Sequence, residues 1–312
     1  MSAFARKAEN SMFIPDSDGP KRLPNLLIIG AQKAGTTWLH WRLAKHPAIL
    51  MSRNKELNFF GKRNYESQIE EYKSSFPVTS GKKFYGESTP GYFWTHDPDS
   101  PWRDSYPNGN YDIPSSVRDV LGQDTKLILS IRHPVDRAVS ALFHHFRQGR
   151  TVPGDRLTTI GSRHGIIDIG FYARHWRNWA NVFGEDAPIV IMFDRIASDP
   201  SGVMDTVLRR LGLGPGRPPS PEPDHVGFSM RVHAGELEID PENESNIALA
   251  ARRGCNIAAA PRVSEADIAI LNATFREDIA FCQARWGDAA GVDWKTPRRL
   301  ADLCAKDSLA LP

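Results

Sequence analysis

The loop from Gly30 to Gly35 has the residue types and the spacing of an anion-binding loop. The apolar run Leu26–Ile29 precedes it, and a helical pattern follows it. Such a strand–loop–helix unit directs backbone N–H groups and a helix N-terminus toward an anion, most often a phosphate. In loops that bind nucleoside triphosphates, lysine directly follows the second glycine. Here Thr36 holds that position and Lys33 lies inside the loop. The displaced cation indicates a different anion, or a lysine that acts on a different atom of it.

A second stretch combines an arginine with a hydroxyl. The run Lys126–Ile131 is a predicted buried strand that ends at Arg132, and a helix starting near Pro134 carries Ser140. Proline is favourable early in a helix, because its missing N–H would be unpaired there in any case. A guanidinium and a hydroxyl in this arrangement suit a second phosphate. From residue type alone, Arg132 is equally suited to an ion pair with a carboxylate.

Alternating strands and helices must position these side chains. Four apolar, β-branched runs are predicted strands: Leu26–Ile29, Lys83–Gly86, Lys126–Ile131 and Ile189–Phe193. Helical patterns lie between them, at Thr36–His46, Val135–Gln148 and Gly170–Phe183. The alternation predicts the α/β class, with a doubly wound, mostly parallel sheet and a P-loop-like anion-binding loop. Ligands of such sheets bind at the carboxyl ends of the strands. Four polar side chains are expected there: Lys33, Glu87, Arg132 and Asp194.

The remaining chain is expected to form one domain over residues 23–312, preceded by a loosely ordered arm over residues 1–22. Two segments are predicted to be irregular and to cover the ligand, at about residues 95–114 and 224–261. A last helix is predicted from Ser264, which is a suitable N-cap, to about Trp286.

Composition restricts the class of partner and the compartment. The chain of 312 residues has 39 Lys and Arg against 37 Asp and Glu, and a net charge of +2 favours neither nucleic acid nor a membrane surface as partner. Its cysteines, Cys255, Cys282 and Cys304, form no C-x-x-C pair, which argues against a structural zinc site and a disulfide framework. The N-terminus lacks the apolar core of a signal peptide and no run approaches transmembrane length, so a soluble cytoplasmic protein is expected.

Together the two anion-binding stretches resemble those of sulfotransferases that use 3′-phosphoadenosine 5′-phosphosulfate (PAPS). The first is similar to the family's 5′-phosphosulfate loop and the second to its 3′-phosphate site. The resemblance is to the branch containing heparan sulfate sulfotransferases and bacterial relatives, and it covers roughly residues 22–295. Further similar segments are E-x-x-F-F from Glu56, E-x-T-P-x-Y-F from Glu87, Tyr172 with Trp179, and the turn at Asp194 and Arg195.

The resemblance implies a site for PAPS, with adenosine 3′,5′-bisphosphate as the product and no metal ion. Lys33 would lie on the oxygen that bridges the 5′-phosphate and the sulfuryl group, which would explain its displaced position. Arg132 and Ser140 would bind the 3′-phosphate. The other residues implied to contact the cofactor are Gln32, Ala34, Gly35, Thr36, Thr37, Trp38, Tyr172 and, from the later irregular segment, Arg231.

The resemblance also implies a general base for the acceptor hydroxyl, and the residue at that position is Glu56. Burial among the apolar residues that follow it, Leu57, Phe59 and Phe60, is expected. The alternative is a glutamate on a helix surface, paired with Lys55. Glu87, at a predicted strand end, is the second candidate base, or else an acceptor-binding or orienting group.

Two departures from the family pattern concern the acceptor and the cofactor. Ser88 stands where heparan-type enzymes place a second active-site lysine, so a polyanionic acceptor is in doubt. The family's late K-G-R loop has no clear counterpart; Arg231 with His233, or Arg252 with Arg253, are the candidate substitutes. The acceptor is predicted to be a hydroxylated glycan, glycolipid or secondary metabolite. Four aromatic residues near residues 95–114 could pack on it: Trp94, Trp102, Tyr106 and Tyr111.

Two other functions use the same fold. A P-loop nucleotide kinase or other NTPase would need a lysine at Thr36 and could use Asp194 as a magnesium ligand. A non-catalytic nucleotide-binding protein would bind the same ligand without a base. Loss of turnover on replacement of Glu56 would separate the enzyme from the binding protein.

Overall fold

Five parallel strands form the central sheet of the computed structural model, which describes residues 19–95, 109–160, 163–215 and 227–307. The strands are β1 (Leu26–Gly30), β2 (Ile49–Met51), β3 (Phe84–Ser88), β4 (Lys126–Ile131) and β5 (Pro188–Met192), in the order β2-β3-β1-β4-β5. Every pairing is parallel, and the strands are almost wholly buried, as in sheets covered on both faces. The predicted α/β fold is confirmed. Only β2, with three residues, is too short to leave a recognisable sequence pattern.

Eight helices accompany these strands in the described part of the chain up to residue 215. They are α1 (Thr36–Ala44), α2 (Ile69–Ser74), α3 (Ile113–Leu121), α4 (Pro134–Arg147), α5 (Leu157–Ile160), α6 (Tyr172–Phe183), α7 (Phe193–Ser198) and α8 (Pro200–Arg210). The predicted helices correspond to α1, α4 and α6, with ends that differ by two residues or fewer. The strand predicted over Lys83–Gly86 continues to Ser88, which places Glu87 inside β3 rather than after it.

The connections that follow β1 and β4 lead toward opposite edges of the sheet. Leu26 and Ile28 of β1 pack with α1 on one face of the sheet, whereas Leu27 and Ile29 pack with α6 on the other. The chain passes from β1 toward β2 on one side and from β4 toward β5 on the other. A crevice forms at the carboxyl ends of the strands where connections diverge in this way, and it is the usual ligand site of the fold. The loop after β1 and Arg132 after β4 flank that crevice.

The chain from residue 227 onward builds a second layer against α4. Three antiparallel strands, β6 (Met230–His233), β7 (Glu236–Ile239) and β8 (Val263–Ser264), accompany α9 (Glu244–Arg253), α10 (Glu265–Thr274), α11 (Arg276–Cys282), α12 (Asp288–Ala290) and α13 (Leu300–Asp307). Apolar side chains of the three strands and of α9, α10 and α13 share one core with those of α4, whereas Cys282 of α11 and Ala290 of α12 pack in the core that contains α6. The prediction of an irregular segment at 224–261 is therefore wrong over residues 230–253, because a hairpin with alternating polar residues and a short helix give weak sequence patterns.

The predicted last helix is broken. Ser264 is its N-cap as predicted, and forms a reciprocal capping box with Asp267. The helix stops before Phe275, which is fully buried. A Cβ on Gly170 would lie 2.6 Å from the ring of Phe275, so that ring packs directly on the glycine backbone. The break in the predicted helix thus lies where Phe275 contacts Gly170, and the helical pattern of the sequence does not predict it.

The other predicted covering segment, residues 95–114, is described only at its ends, since residues 96–108 lie outside the described part. Its end is not a loop, because α3 begins at Ile113 with Asp112 as its N-cap. Of the predicted arm, residues 1–18 lie outside the described part as well. Among the described residues, none of the helices combines the length and the apolar character needed to span a bilayer.

Candidate active site

The loop between β1 and α1 is tied to the end of β4. The Ala31 N–H donates to the Ser130 carbonyl (2.6 Å), and the Ser130 hydroxyl donates to the Ala34 carbonyl (2.5 Å). The Ala34 N–H donates to the Ala31 carbonyl (3.2 Å) within the loop. The predicted cofactor contact of Ala34 therefore cannot use its N–H group while this bond is present.

The N-terminus of α1 presents free donors. The first intrahelical bond runs from the Leu39 N–H to the Gly35 carbonyl (3.1 Å), so the N–H groups of Thr36, Thr37 and Trp38 precede it. No side chain caps this end and no acidic residue lies in the first turn. Together with the positive end of the helix dipole, these donors suit an anion.

Two glycines allow this loop to pack as closely as it does. A Cβ on Gly30 would lie 2.5 Å from Cβ of Phe93. Gly35 has a φ of +80°, and a Cβ there would lie 2.9 Å from Cδ1 of Ile196 and 3.0 Å from the ring of Phe193. Neither position accepts a larger residue without displacing its neighbours. The glycine spacing that was visible in the sequence thus has a steric cause.

Arg132 meets the same phenyl ring that packs on Gly35. Its guanidinium lies 4.9 Å from the ring centroid of Phe193, and the residue is 8% exposed. No ion pair joins Arg132 to a carboxylate among the described residues. The alternative role of Arg132 as a structural ion-pair partner is therefore not observed. Arg132 and the anion-binding loop therefore both lie beside the ring of Phe193.

Tyr172, a predicted cofactor contact, has a different position. It is fully buried, and its hydroxyl donates to the Arg132 carbonyl (2.8 Å). Burial raises the pKa of the Tyr172 phenol above its usual range, so the hydroxyl remains a donor. The structure therefore gives Tyr172 a role in positioning the Arg132 backbone rather than direct access to a ligand.

The helix α4 carries histidines that are affected by the charge of Lys33. Ser140 is half-buried on this helix, and His144, four residues later, lies on the same face. Burial, and next the charge of Lys33, lower the pKa of His144 to about 2. His144 is therefore a neutral imidazole within electrostatic range of the loop lysine. His144 was not among the site residues predicted from the sequence, although its i+4 spacing from Ser140 could have indicated this position.

Glu56 is accessible, contrary to the expectation of burial. Its side chain is 48% exposed, while Phe59 and Phe60 turn into the core. The expected partner is present, since Lys55 Nζ lies 3.2 Å from Glu56 Oε1, but the segment is not helical. The carboxylate can therefore reach a ligand without any rearrangement of the core.

Glu87 is completely enclosed. It is 0% exposed and accepts hydrogen bonds from the hydroxyls of Tyr72 (2.7 Å), Tyr92 (2.8 Å) and Thr89 (2.8 Å). Burial raises the pKa of Glu87 and the nearby charge of Glu56 adds to the rise, whereas the three hydroxyls oppose it. In this structure Glu87 cannot contact an acceptor, so its prediction as a catalytic base is corrected here.

Arg231, a predicted cofactor contact, is paired with carboxylates in this structure. On β6, its guanidinium pairs with Glu238 (3.0 Å), Glu242 (3.2 Å) and Asp240 (3.5 Å). These carboxylates already neutralise its charge, so Arg231 stabilises the hairpin of the small sheet. The pairing arises across neighbouring strands, which the sequence did not predict for this segment.

Gln32 in the loop and Trp38 in α1 are among the residues with unsatisfied polar atoms. The indole N–H of Trp38 and the side-chain carbonyl oxygen of Gln32 are buried without a hydrogen-bond partner in the described part of the chain. Trp38 is only 3% exposed and packs in the core between the sheet and α1. A buried unpaired polar group costs about 1–3 kcal/mol. A ligand that supplied the missing partners would recover part of this energy.

Asp194, the metal ligand considered for the NTPase alternative, is hydrogen-bonded within the protein. The Asp194 carboxylate accepts a hydrogen bond from the indole of Trp294 (3.1 Å), which is fully buried and packs against His133. Asp194 therefore has a structural partner. Among the described residues, no group of three or more His, Cys, Asp or Glu side chains is arranged to hold a metal ion.

Comparison with known protein families decides the identity of the fold. Residues 23–217 match the family described as the sulfotransferase domain. The chain belongs to the sulfotransferase family. The family predicted from the two anion-binding stretches is thus confirmed, and the match includes the loop after β1, Glu56, Glu87 and Arg132.

Individual relatives of this sulfotransferase support the same assignment. The human heparan sulfate glucosamine 3-O-sulfotransferase 3B1 is 31% identical over 227 residues, which are 67% of this chain and 54% of the relative. The bifunctional heparan sulfate N-deacetylase/N-sulfotransferase 4 of Mus musculus is 31% identical over 216 residues, 62% of this chain and 23% of the relative. The chain thus spans about half or less of the length of these relatives.

A solved structure shares the fold. The sulfotransferase from Alicyclobacillus acidocaldarius is 24% identical, with a TM-score of 0.50 over 82% of this chain and 96% of that chain. This similarity concerns the architecture of the parallel sheet and its helices. The roles of the individual site residues rest on the geometry described above.

Proposed function

We propose that this sulfotransferase transfers the sulfuryl group of PAPS to a hydroxyl of a glycan-type acceptor. The observation that carries the proposal is the convergence of two anion-binding features on Phe193. Gly35, at the start of α1, and Arg132, after β4, both contact this ring. A nucleotide with anionic groups at both its 5′ and 3′ positions suits two such features better than a triphosphate, whose charges lie on one side of the ribose.

The residues present fit PAPS. The free N–H groups at the start of α1, with the hydroxyls of Thr36 and Thr37, would hold the 5′-phosphate. Arg132 would bind the 3′-phosphate as a fork, with Ser140 of α4 adding a hydroxyl. Bound PAPS supplies a sulfuryl group attached to a phosphate leaving group.

Lys33 is proposed to neutralise charge on the oxygen that leaves with the 5′-phosphate. A compact anionic group moves in line between two oxygens in this class of reaction, so positioning and charge stabilisation dominate the rate. A lysine inside the loop reaches an atom beyond the phosphate held by the helix N-terminus. Lys33 has a φ of +67°, a backbone conformation that is uncommon for residues with a side chain.

Glu56 is proposed to accept the proton of the acceptor hydroxyl. Its half-exposed carboxylate is available to an acceptor entering from solvent, and Lys55 restrains its Oε1 atom. A base must come within about 3 Å of the proton it removes, and Glu56 can do so whereas the enclosed Glu87 cannot. This accessibility is what supports Glu56 over Glu87.

The acceptor class is proposed from the relatives. Their names specify heparan sulfate glucosamine as acceptor, which supports a hydroxylated sugar here. Of the four aromatic residues predicted to contact the acceptor, Trp94 is buried, while Tyr111 is 47% exposed beside Arg63. Trp102 and Tyr106 lie outside the described residues. An exposed aromatic ring next to an arginine suits the face of a sugar.

Incubation with radiolabelled PAPS and a panel of hydroxylated acceptors tests the proposal. The panel should include desulfated glucosamine-containing oligosaccharides, simple phenols and long-chain alcohols. We expect label in the oligosaccharides, and we expect activity to persist in EDTA because no step requires a metal ion. Transfer of phosphate from labelled ATP, without sulfuryl transfer, would contradict the proposal.

Replacement of Arg132 by methionine tests the second phosphate pocket. Loss of a charge-assisted hydrogen bond costs about 1.5–3 kcal/mol, so the affinity for adenosine 3′,5′-bisphosphate should fall roughly 10- to 150-fold. The affinity for adenosine 5′-monophosphate should change little, because that ligand has no 3′-phosphate. Calorimetric titration of both nucleotides measures the difference. Arg118→Met, on the surface of α3, is the matched control. If Arg132→Met lost affinity equally for both nucleotides, Arg132 would not bind the 3′-phosphate.

A further inference from the structure

Two hydrogen-bonded chains connect Glu87 to the main chain just after Glu56. In the first chain, the Thr89 hydroxyl donates to Glu87 Oε2 (2.8 Å) and accepts a hydrogen bond from the Asn58 N–H (3.1 Å). The second chain passes through Tyr92, whose hydroxyl donates to Glu87 Oε1 (2.8 Å) and accepts a main-chain N–H (3.2 Å). That second N–H belongs to Phe60, two residues after Asn58.

The direction of both chains is determined by the backbone. A main-chain N–H can only donate, so the hydroxyl oxygens of Thr89 and Tyr92 must accept from it. Each hydroxyl proton is then available for Glu87, whose carboxylate can only accept when ionised. All the hydrogen bonds of the two chains are satisfied only when an acceptor with two oxygens stands at position 87.

The segment that bears Glu56 has few other anchors. Among the described residues, no backbone–backbone hydrogen bond involves residues 53–58. Glu56 and Asn58 are exposed and Leu57 is half-buried, so packing restrains them little. Thr89 and Tyr92 are instead 2% and 0% exposed. The buried hydroxyls of Thr89 and Tyr92 therefore anchor the exposed segment that bears Glu56.

We propose that Glu87 is a positioning residue that holds the Glu56 segment in place through the hydroxyls of Thr89 and Tyr92. The inference rests on the proposed function, in which Glu56 is the base. Glu87 itself touches neither the acceptor nor the cofactor. It acts by fixing the two main-chain N–H groups that follow the base, and so determines where the Glu56 carboxylate meets the acceptor.

Tyr72 provides a matched control. Its hydroxyl donates to the same Glu87 Oε1 atom (2.7 Å), and its ring stacks on Phe59 at 4.0 Å. Tyr72 is 4% exposed, close to the 0% of Tyr92, but its hydroxyl bonds no main-chain group of the Glu56 segment. Tyr72→Phe and Tyr92→Phe each remove one hydroxyl from one carboxylate oxygen and keep the ring.

The two phenylalanine variants should differ in rate. Because small displacements of a reacting group cost up to 10²-fold, Tyr92→Phe should lower kcat roughly 10- to 100-fold, whereas Tyr72→Phe should stay within about threefold. The affinity for adenosine 3′,5′-bisphosphate should be unchanged in both. In a Glu56→Gln background, Tyr92→Phe should lower kcat by less than about twofold further, because the two residues act through one group.

A second pair of variants covers the case in which Tyr92→Phe does not fold. Thr89→Val removes the hydroxyl and should lower kcat, while Thr89→Ser keeps it and should retain most of the wild-type rate. Circular dichroism establishes the folded fraction of every variant at the assay temperature.

The outcomes separate the two proposals. If Glu56→Gln is inactive but Tyr92→Phe and Tyr72→Phe have equal rates at equal folded fraction, the positioning role is overturned and the proposed function stands. If the Thr89 pair is used, equal rates of the valine and serine variants have the same meaning. If Glu56→Gln keeps the wild-type turnover, Glu56 is not the base, and both this assignment and the positioning of the base by Glu87 are overturned, whereas sulfuryl transfer itself is not.

Discussion

Replacement of Lys33 by methionine is expected to lower kcat by about 10²–10³, comparable to the loss of one donor from a site that stabilises developing charge. The reason is that negative charge grows on the leaving oxygen only as the bond to the sulfuryl group breaks. An interaction realised mainly in the transition state affects kcat more than ground-state binding. The affinity for adenosine 3′,5′-bisphosphate, which has no sulfuryl group, should therefore change far less than the rate.

Single-turnover measurement of sulfuryl transfer, with nucleotide titration of the same preparations, checks this result. Lys45→Met is the matched control, because Lys45 is exposed at the other end of the same helix, α1. A Lys33→Met variant that kept the wild-type kcat would remove the lysine from the chemistry. A variant that lost nucleotide affinity and rate in equal proportion would restrict Lys33 to cofactor binding.

Replacement of Glu56 by glutamine should lower kcat by about 10²–10⁴, the usual contribution of a positioned general base. Glutamine has nearly the same size, so the segment between Lys55 and Phe60 should keep its fold, since the hydroxyls of Thr89 and Tyr92 still hold it. Binding of adenosine 3′,5′-bisphosphate should be unaffected, because Glu56 is proposed to act on the acceptor.

The control for this variant is Glu66→Gln, which alters an exposed glutamate ten residues further along the chain. Rates are measured with a saturating acceptor, so that weaker acceptor binding is not mistaken for slower chemistry. Wild-type turnover in Glu56→Gln would assign the base to another group.

Residue spacing was sufficient to predict a structural feature wherever one short segment contains all the residues that form the feature. The loop from Gly30 to Gly35 is one such case, because strand, turn and helix follow one another and the chain itself sets their geometry. Arg132 is another, since it directly follows a buried strand. The parallel sheet follows from the same information, as apolar runs alternating with helical patterns have few compact arrangements.

Contacts between distant segments were not predictable in the same way. The exposure of Glu56 depends on Phe59 and Phe60 turning inward against Tyr72, a packing that hydrophobic residues after a glutamate do not specify. Arg231 looked available for a phosphate, because its carboxylate partners are found only once β6 pairs with β7. The break at Phe275 accompanies a ring packed on Gly170, over one hundred residues away in the chain.

The sequence by itself therefore determined the fold class and the sulfotransferase family, and it located the two candidate anion-binding stretches, because the patterns used are each formed by residues within a few positions of one another. Only the tertiary structure decided that Glu87 is enclosed by three hydroxyls while Glu56 faces solvent. The residues next to Glu56 and Glu87 in the chain do not reveal which carboxylate is buried. Their difference arises from how β3 and the segment before α2 pack together, since burial and hydrogen bonding of a carboxylate depend on neighbours that the chain brings from elsewhere.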